Sequence, residues 1–345
     1  MEDVFSLIQA LVPEVTDALI LRLNILSILD KVESRIGRKV LAQRVGLTER
    51  SLRTVIDHMR GQGLVDVTQQ GITATKFGHE ARISLQELLT HYRTDQFLEM
   101  EARLGEILGI DHCRILPGDG DIDLYVYKLL GKAVQEILMR FLPRQECIVA
   151  VTGGSTLARI GKEFTPELSQ EHEITFVPTR GGFGGAYDIQ SNAIGGIMAQ
   201  QTDSKYVPFF VPENISKESS KVLLQDPTIH RALELSKRAD SLILSVGSAE
   251  IIAERRDLSD EQKSLIRDQE SVGEAFGVFF DKDGQEVFKY PRMGMQLQDI
   301  HSIPLLITVV AGKSKAKAVK AFYKLAPKHG WLVCDEGIAN WIINS

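Results

Sequence analysis

Cysteine is scarce in this 345-residue chain: Cys113, Cys147 and Cys334 are widely spaced and odd in number. That pattern excludes a disulfide framework or a zinc knuckle and predicts reduced core thiols. Long apolar runs are also missing. The richest, Ala18 to Leu29, is interrupted by Arg22 and Asn24, and no charged leader precedes an apolar stretch, so a cytoplasmic protein with no membrane partner is expected. The Gly-Gly-Ser-Thr turn at 153–156 lacks the Gly-Lys-Ser or Gly-Lys-Thr of a Walker A loop, and no Rossmann glycine fingerprint stands in context. The eight histidines are scattered, none beside a strand-end glycine; His58 falls on a predicted helix, while His172, His230 and His301 read as surface residues. No catalytic constellation, metal site or cofactor is expected.

What is present is enough chain and enough apolar residues, 43% of the total, for two cores without staples. The net charge of -6 argues against an overall basic coat, yet residues 34 to 66 hold seven Lys or Arg against three acids. That local asymmetry fits a nucleic-acid face.

The pattern beneath it is helical. Leu21, Ile25, Ile28 and Leu29 mark one stripe of a helix over Val15–Val32, and a short second helix is predicted over Arg38–Val45. Gly46 can end it in the left-handed region, and Thr48 can cap a third helix whose Leu52, Val55, Ile56 and Met59 share a face. This is a helix-turn-helix. The third helix presents Arg50, Ser51, Arg53, Thr54 and Asp57 near the end that enters a major groove, with Arg38 and Lys39 on the preceding helix. Leu64–Val67, the turn Gln69-Gln70-Gly71 and Ile72–Thr75 predict a hairpin wing. Winged modules also serve as protein-docking domains; the basic bias favours double-stranded DNA. From Ile83 to Ile110 a stripe through Phe97, Met100, Leu104 and Leu108 predicts a connecting helix able to pair two chains, so a homo-oligomer, dimer or tetramer, is expected. The domains are thus read as 1–82 for DNA, 83–110 as connector and 111–345 as effector domain.

Beyond Pro117, strand-like and helix-like stretches alternate, the mark of a doubly wound α/β (Rossmann-like) domain. A helix over Leu124–Leu142 leads to strands at 147–151, 174–177, 206–211, 241–246, 305–310 and 331–334. Gly153-Gly154-Ser155-Thr156, Arg180-Gly181-Gly182, Gly247 and Gly312-Lys313-Ser314-Lys315 each follow a strand, where such sheets bind ligands. Glycines let amides approach an anion, hydroxyls add donors, and Arg180, Arg255, Arg256 and Lys315 supply charge, which together predict an anionic pocket.

Taken in order, the winged helix-turn-helix, Val151-Thr152-Gly153-Gly154-Ser155-Thr156, Pro178-Thr179-Arg180-Gly181-Gly182, Glu274-Ala275-Phe276-Gly277, Gly294-Met295-Gln296-Leu297 and Asp335-Glu336-Gly337 resemble the SorC/DeoR-type sugar-binding transcriptional regulators, in particular the branch acting on glycolytic genes. The resemblance spans nearly the whole chain. It implies a repressor released from its operator by fructose 1,6-bisphosphate. It also implies one phosphate on Gly153, Gly154, Ser155, Thr156 and Lys315, the other on Arg180 with Arg255 or Arg256, a polar contact from Gln190, and sugar hydroxyls on Glu274. A relative answering to a monophosphate is the alternative regulator. A phosphosugar isomerase or deaminase, similar in fold, would need an Asp-Gly-His motif where this chain has Val246-Gly247-Ser248-Ala249-Glu250.

Overall fold

The structure, a computed structural model, describes residues 11–30, 35–182, 187–212, 217–256 and 258–345. They fall into two compact units dividing between Phe97 and Leu98. Among them no helix is long and apolar enough to cross a membrane.

The first unit is built from α1 (Pro13–Asp30), α2 (Arg38–Arg44) and α3 (Glu49–Gly61) followed by β1 (Val65–Thr68) and β2 (Gly71–Ala74). Leu52, Ile56 and Met59 of α3, spaced one helical turn apart, pack with Ile25 and Leu29 of α1 and Leu41 of α2 into one core. The turn between α2 and α3 has the predicted chemistry. Gly46 sits at φ +69°, and the Thr48 hydroxyl accepts from Ser51 N at 3.1 Å. β1 and β2 pair antiparallel directly after α3 in sequence, as the expected hairpin. Residues 31 and 32, the end of the predicted first helix, lie outside the described residues.

Helix α4 runs from Lys76 to Leu108, and the division between the units falls within it. Its first turns are pinned to the end of α1 because Asp30 Oδ2 meets Arg82 Nε at 2.6 Å and His79 Nδ1 at 2.9 Å. Phe97 and Leu104 are buried, and the side chains of residues 86–96 lie outside the described set.

In the second unit a seven-stranded sheet has the order β3-β13-β12-β7-β4-β5-β6. Its strands are β3 (His112–Leu116), β4 (Glu146–Val151), β5 (Glu173–Pro178), β6 (Lys205–Tyr206), β7 (Ser241–Leu244), β12 (Leu305–Val310) and β13 (Trp331–Asp335), and every ladder is parallel. All six positions of β12 and all four of β7 are buried, as in a sheet covered on both faces. The α5 helix (Tyr125–Phe141), α6 (Ser155–Ile160) and α7 (Ser191–Gln201) contribute Leu130, Leu138, Leu157 and Ile194 to the core against Val149, Val151 and Ile307. From β4 the chain steps outward to β5 and β6; it then returns to β7 on the other side of β4. The carboxyl ends of β4 and β7 therefore form the switch point at which such sheets bind ligands.

Three departures from the sequence reading have physical causes. The strand expected over 206–211 stops at Tyr206: Val207 N still reaches Phe176 O at 3.0 Å, but Pro208 has no amide, and Phe209 bonds through both N and O to the Asn192 side chain. β3 was not anticipated; it is a polar-looking edge strand whose His112 stacks on Trp331 of β13 at 4.6 Å. Nor was a second sheet, four antiparallel short strands β8 (Gly247–Ser248), β9 (Gly273–Ala275), β10 (Val278–Phe280) and β11 (Glu286–Lys289) in the order β11-β10-β9-β8. Its tight turn is Phe276-Gly277, both at positive φ (+54° and +81°), an unusual sequence for that hairpin geometry. His172 is a further correction. It is buried rather than at the surface, with its ring nitrogens facing Pro143 O and Met139 O.

Candidate functional site

At the switch point a cleft of about 220 Å³ opens between the ends of β4 and β7. Gly154, at φ +132° where a side chain would be strained, turns the chain out of β4 into α6, and its N–H is held by Ile189 O at 2.9 Å. Gly153, Gly154, Ser155 and Thr156 line one wall; Arg255, Glu274 and Lys315 line others. Four segments widely separated in sequence are thus brought to one opening. Arg180 and Gln190, expected at the pocket, are not among the residues that line it: Arg180 Nη2 lies 3.0 Å from where a Cβ on the lining residue Gly153 would stand, and Gln190 Oε1 lies 2.5 Å from where one on Gly182 would stand. Gln190 occupies the position before α7 but makes no side-chain cap there.

Lys315 is the most buried cation of the cleft. Its Nζ donates to Ala311 O at 2.7 Å and reaches Thr156 Oγ1 at 3.3 Å, joining the β12 turn to the β4 turn. Burial lowers its pKa below the usual lysine range, the nearby Arg159 and Arg255 add to that, and Asp121 and Asp335 oppose it.

The two adjacent arginines separate. Arg255 lines the cleft, whereas Arg256 donates to Glu274 Oε1 at 3.4 Å and lies over the Tyr290 ring at 5.1 Å. Glu274 is buried and accepts Gly277 N on the same Oε1 at 2.6 Å, so the hairpin turn and Arg256 fix its orientation.

The turn Gly312–Lys315 differs from its reading in sequence as a ready anion cradle. Three carboxylates of the chain already hold its amides. Gly312 N donates to Asp335 Oδ2 at 2.6 Å, Lys313 N to Asp119 Oδ1 at 3.2 Å and Ser314 N to Asp121 Oδ2 at 2.8 Å. What this turn contributes to the cleft is the Lys315 side chain. Asp335 is fully buried, also accepts from Gly120 N and Ile338 N, and burial raises its pKa to about 6. Asp121 lines the cleft and was missed in the sequence, as were Ser245 and Ser248. A wider cleft of about 350 Å³, bordered by Glu101, Glu106, Asp111 and Lys328, lacks convergent cations and strand-end glycines.

On the first unit, Arg38 and Lys39 open α2, and Arg50, Ser51, Arg53, Thr54 and Asp57 are all exposed on α3. Arg53 Nε and Asp57 Oδ2 stand 3.9 Å apart, a distance and exposure at which the pair adds little stability and leaves the guanidinium available. Thr48 and Ser51 are engaged in the cap itself.

Residues 92–344 match the family model described as "Putative sugar-binding domain", and residues 19–89 match the "CggR N-terminal DNA binding domain". The central glycolytic genes regulator of Bacillus subtilis (strain 168) is 35% identical over 341 residues, 98% of each chain. The chain belongs to the SorC/DeoR-type sugar-binding transcriptional regulators. The central glycolytic genes regulator of Priestia megaterium is 33% identical over 99% of each chain. A solved structure described as a SorC family transcriptional regulator, from Enterococcus faecalis, is 37% identical with a TM-score of 0.68, covering 71% of this chain and 99% of that one. Family membership makes the chain a sugar-responsive, DNA-binding transcription regulator and not an enzyme. The strand end after β7, where the fold's enzymes would need a ring-opening histidine, carries Val246-Gly247-Ser248 here.

Proposed function

We propose that the chain represses glycolytic genes from an operator it grips as a cytoplasmic dimer or tetramer, and that fructose 1,6-bisphosphate relieves the repression. The observation that carries the sugar-phosphate reading is the junction at the switch point, Lys315 Nζ 3.3 Å from Thr156 Oγ1 beside the Gly153–Thr156 turn. One phosphate sits there, received by hydroxyls and the ammonium. The second is held by Arg255, which lines the cleft, with Arg180, whose guanidinium lies beside Gly153, while Gln190 adds a polar contact and Glu274 accepts sugar hydroxyls. Cationic groups at separate places favour a bisphosphate over a monophosphate, in keeping with the branch of the family the motifs resemble. Arg256, engaged by Glu274, positions that carboxylate. On α3, Arg50 and Arg53 read base edges or phosphates, with Thr54 and Asp57 beside them; Arg38, Lys39, Thr48 and Ser51 meet the backbone.

A thermal-shift titration of the full chain tests the effector. Fructose 1,6-bisphosphate is expected to raise the melting temperature of the second unit by mass action, well above the effect of fructose 6-phosphate, glucosamine 6-phosphate or deoxyribose 5-phosphate. A larger shift from a monophosphate would keep the regulator and discard the bisphosphate assignment of Arg180 and Arg255.

A further inference from the structure

Asp121 stands where a ligand phosphate would otherwise find donors. Its Oδ2 accepts Ser314 N at 2.8 Å and its Oδ1 accepts Ser314 Oγ at 3.0 Å. These are the two groups that a Gly-Lys-Ser-Lys turn, placed after a buried parallel strand, would ordinarily offer to an anion. Gly312, at φ +99°, is what lets the carboxylate come so close, since a Cβ there would strike Asp121 Oδ1. Of the three carboxylates on this turn, Asp121 alone lines the cleft. Asp335 lies fully buried, and Asp119 holds Lys313 N and the amide of Asp121 from within its own loop.

The cleft is therefore electrostatically divided. Lys315 and Thr156 stand on the β4 side, and a carboxylate stands at the neighbouring turn, close enough to act on the Lys315 ammonium. A carboxylate repels a second anion and accepts hydrogen bonds from hydroxyl groups. On the reading of the cleft as a sugar-phosphate site, we infer that Asp121 is a specificity-determining residue. It occupies the anion-accepting side of the Gly312–Lys315 turn, keeps the phosphoryl group bound beside Lys315 on the Gly153–Thr156 turn, and meets the ligand's carbon chain with a hydroxyl acceptor. The pocket thereby prefers a polyhydroxylated phosphate over a bare anion of the same charge.

The test is the ratio of two dissociation constants on the full chain, for inorganic phosphate (by competition) and for fructose 1,6-bisphosphate (by calorimetry). Asp121→Asn removes the charge. It is expected to tighten inorganic phosphate by about tenfold, a change of about 1.4 kcal/mol, without a matching gain for the bisphosphate, so the ratio falls about tenfold. Asp121→Glu, which restores the charge, and Asp119→Asn, which changes a carboxylate outside the cleft lining, should keep the wild-type ratio. A purely structural role would weaken both ligands together and leave the ratio unchanged; that outcome in Asp121→Asn, or a fall of the same size in Asp119→Asn, overturns the inference. Should the wild-type chain bind neither probe, the sugar-phosphate reading fails as well, a result distinct from failure of the Asp121 role alone.

Discussion

Lys315→Met is expected to weaken binding of fructose 1,6-bisphosphate, the proposed effector, by about ten- to a hundredfold and to leave DNA affinity unchanged. Methionine keeps an unbranched side chain of similar length and removes the charge. The deleted interaction is a charge-assisted hydrogen bond in a largely buried setting, worth about 1.5–3 kcal/mol, and about 1.4 kcal/mol is a factor of ten. Folding does not suffer in proportion, because the buried ammonium already carries a desolvation cost that lowers its pKa. DNA affinity is expected to hold because Lys315 and α3 belong to separate compact units. Calorimetry with the sugar phosphate and fluorescence anisotropy with DNA give the two numbers. Undiminished ligand affinity in Lys315→Met would place the phosphate elsewhere.

The second large effect is on stability. Asp335 ties together the end of β13, the loop after β3 and the turn after β12, with Oδ2 accepting Gly120 N and Gly312 N while Oδ1 accepts Ile338 N. Asparagine can keep the bond to Ile338, but its amino group then faces two amide donors. Two buried N–H groups are left unsatisfied at about 1–3 kcal/mol each. Relief of the buried charge offsets part of that, so Asp335→Asn should lose about 2 kcal/mol at pH 7. The pH dependence has a definite sign. Burial lifts the Asp335 pKa to about 6 in the folded chain, above the value of about 3.9 for an unfolded aspartate. The folded state thus holds this proton more tightly, and the group's contribution, complete below about pH 4, is lost as pH rises towards 6. Urea unfolding should show the gap between wild type and Asp335→Asn narrowing between pH 5 and pH 7, by about 1 kcal/mol. A gap that widens with pH would mean that the three amides outweigh burial and hold the carboxylate ionised.

The first unit was legible almost residue by residue because its signals are local: Gly46 at positive φ, Thr48 on the Ser51 amide, and Leu52, Ile56 and Met59 on one face. The main parallel sheet was legible because buried strands such as Leu305–Val310 read as unbroken apolar runs. What escaped depends on pairing. β3 is polar along most of its length, and the four short antiparallel strands carry too few residues for periodicity to register. The cleft was half legible. Strand-end glycines marked Gly153–Thr156, but the occupation of the Gly312–Ser314 amides could not be seen, since their acceptors Asp119 and Asp121 lie more than 190 positions away in sequence. Likewise, the separation of Arg255 from Arg256 is set by Glu274 and Tyr290, which only the fold brings near.

The central claim couples two sites, and fluorescence anisotropy with a DNA fragment that the full chain selects tests it most directly, with and without saturating fructose 1,6-bisphosphate. Coupling of about 1–3 kcal/mol predicts a loss of DNA affinity of about five- to 150-fold in the presence of ligand, and reciprocally weaker ligand binding on DNA. Arg53→Ala, which lacks the exposed guanidinium of α3, should bind the sugar phosphate normally and the DNA poorly. Identical DNA affinity in the presence and absence of a sugar phosphate shown by calorimetry to be bound would contradict the account.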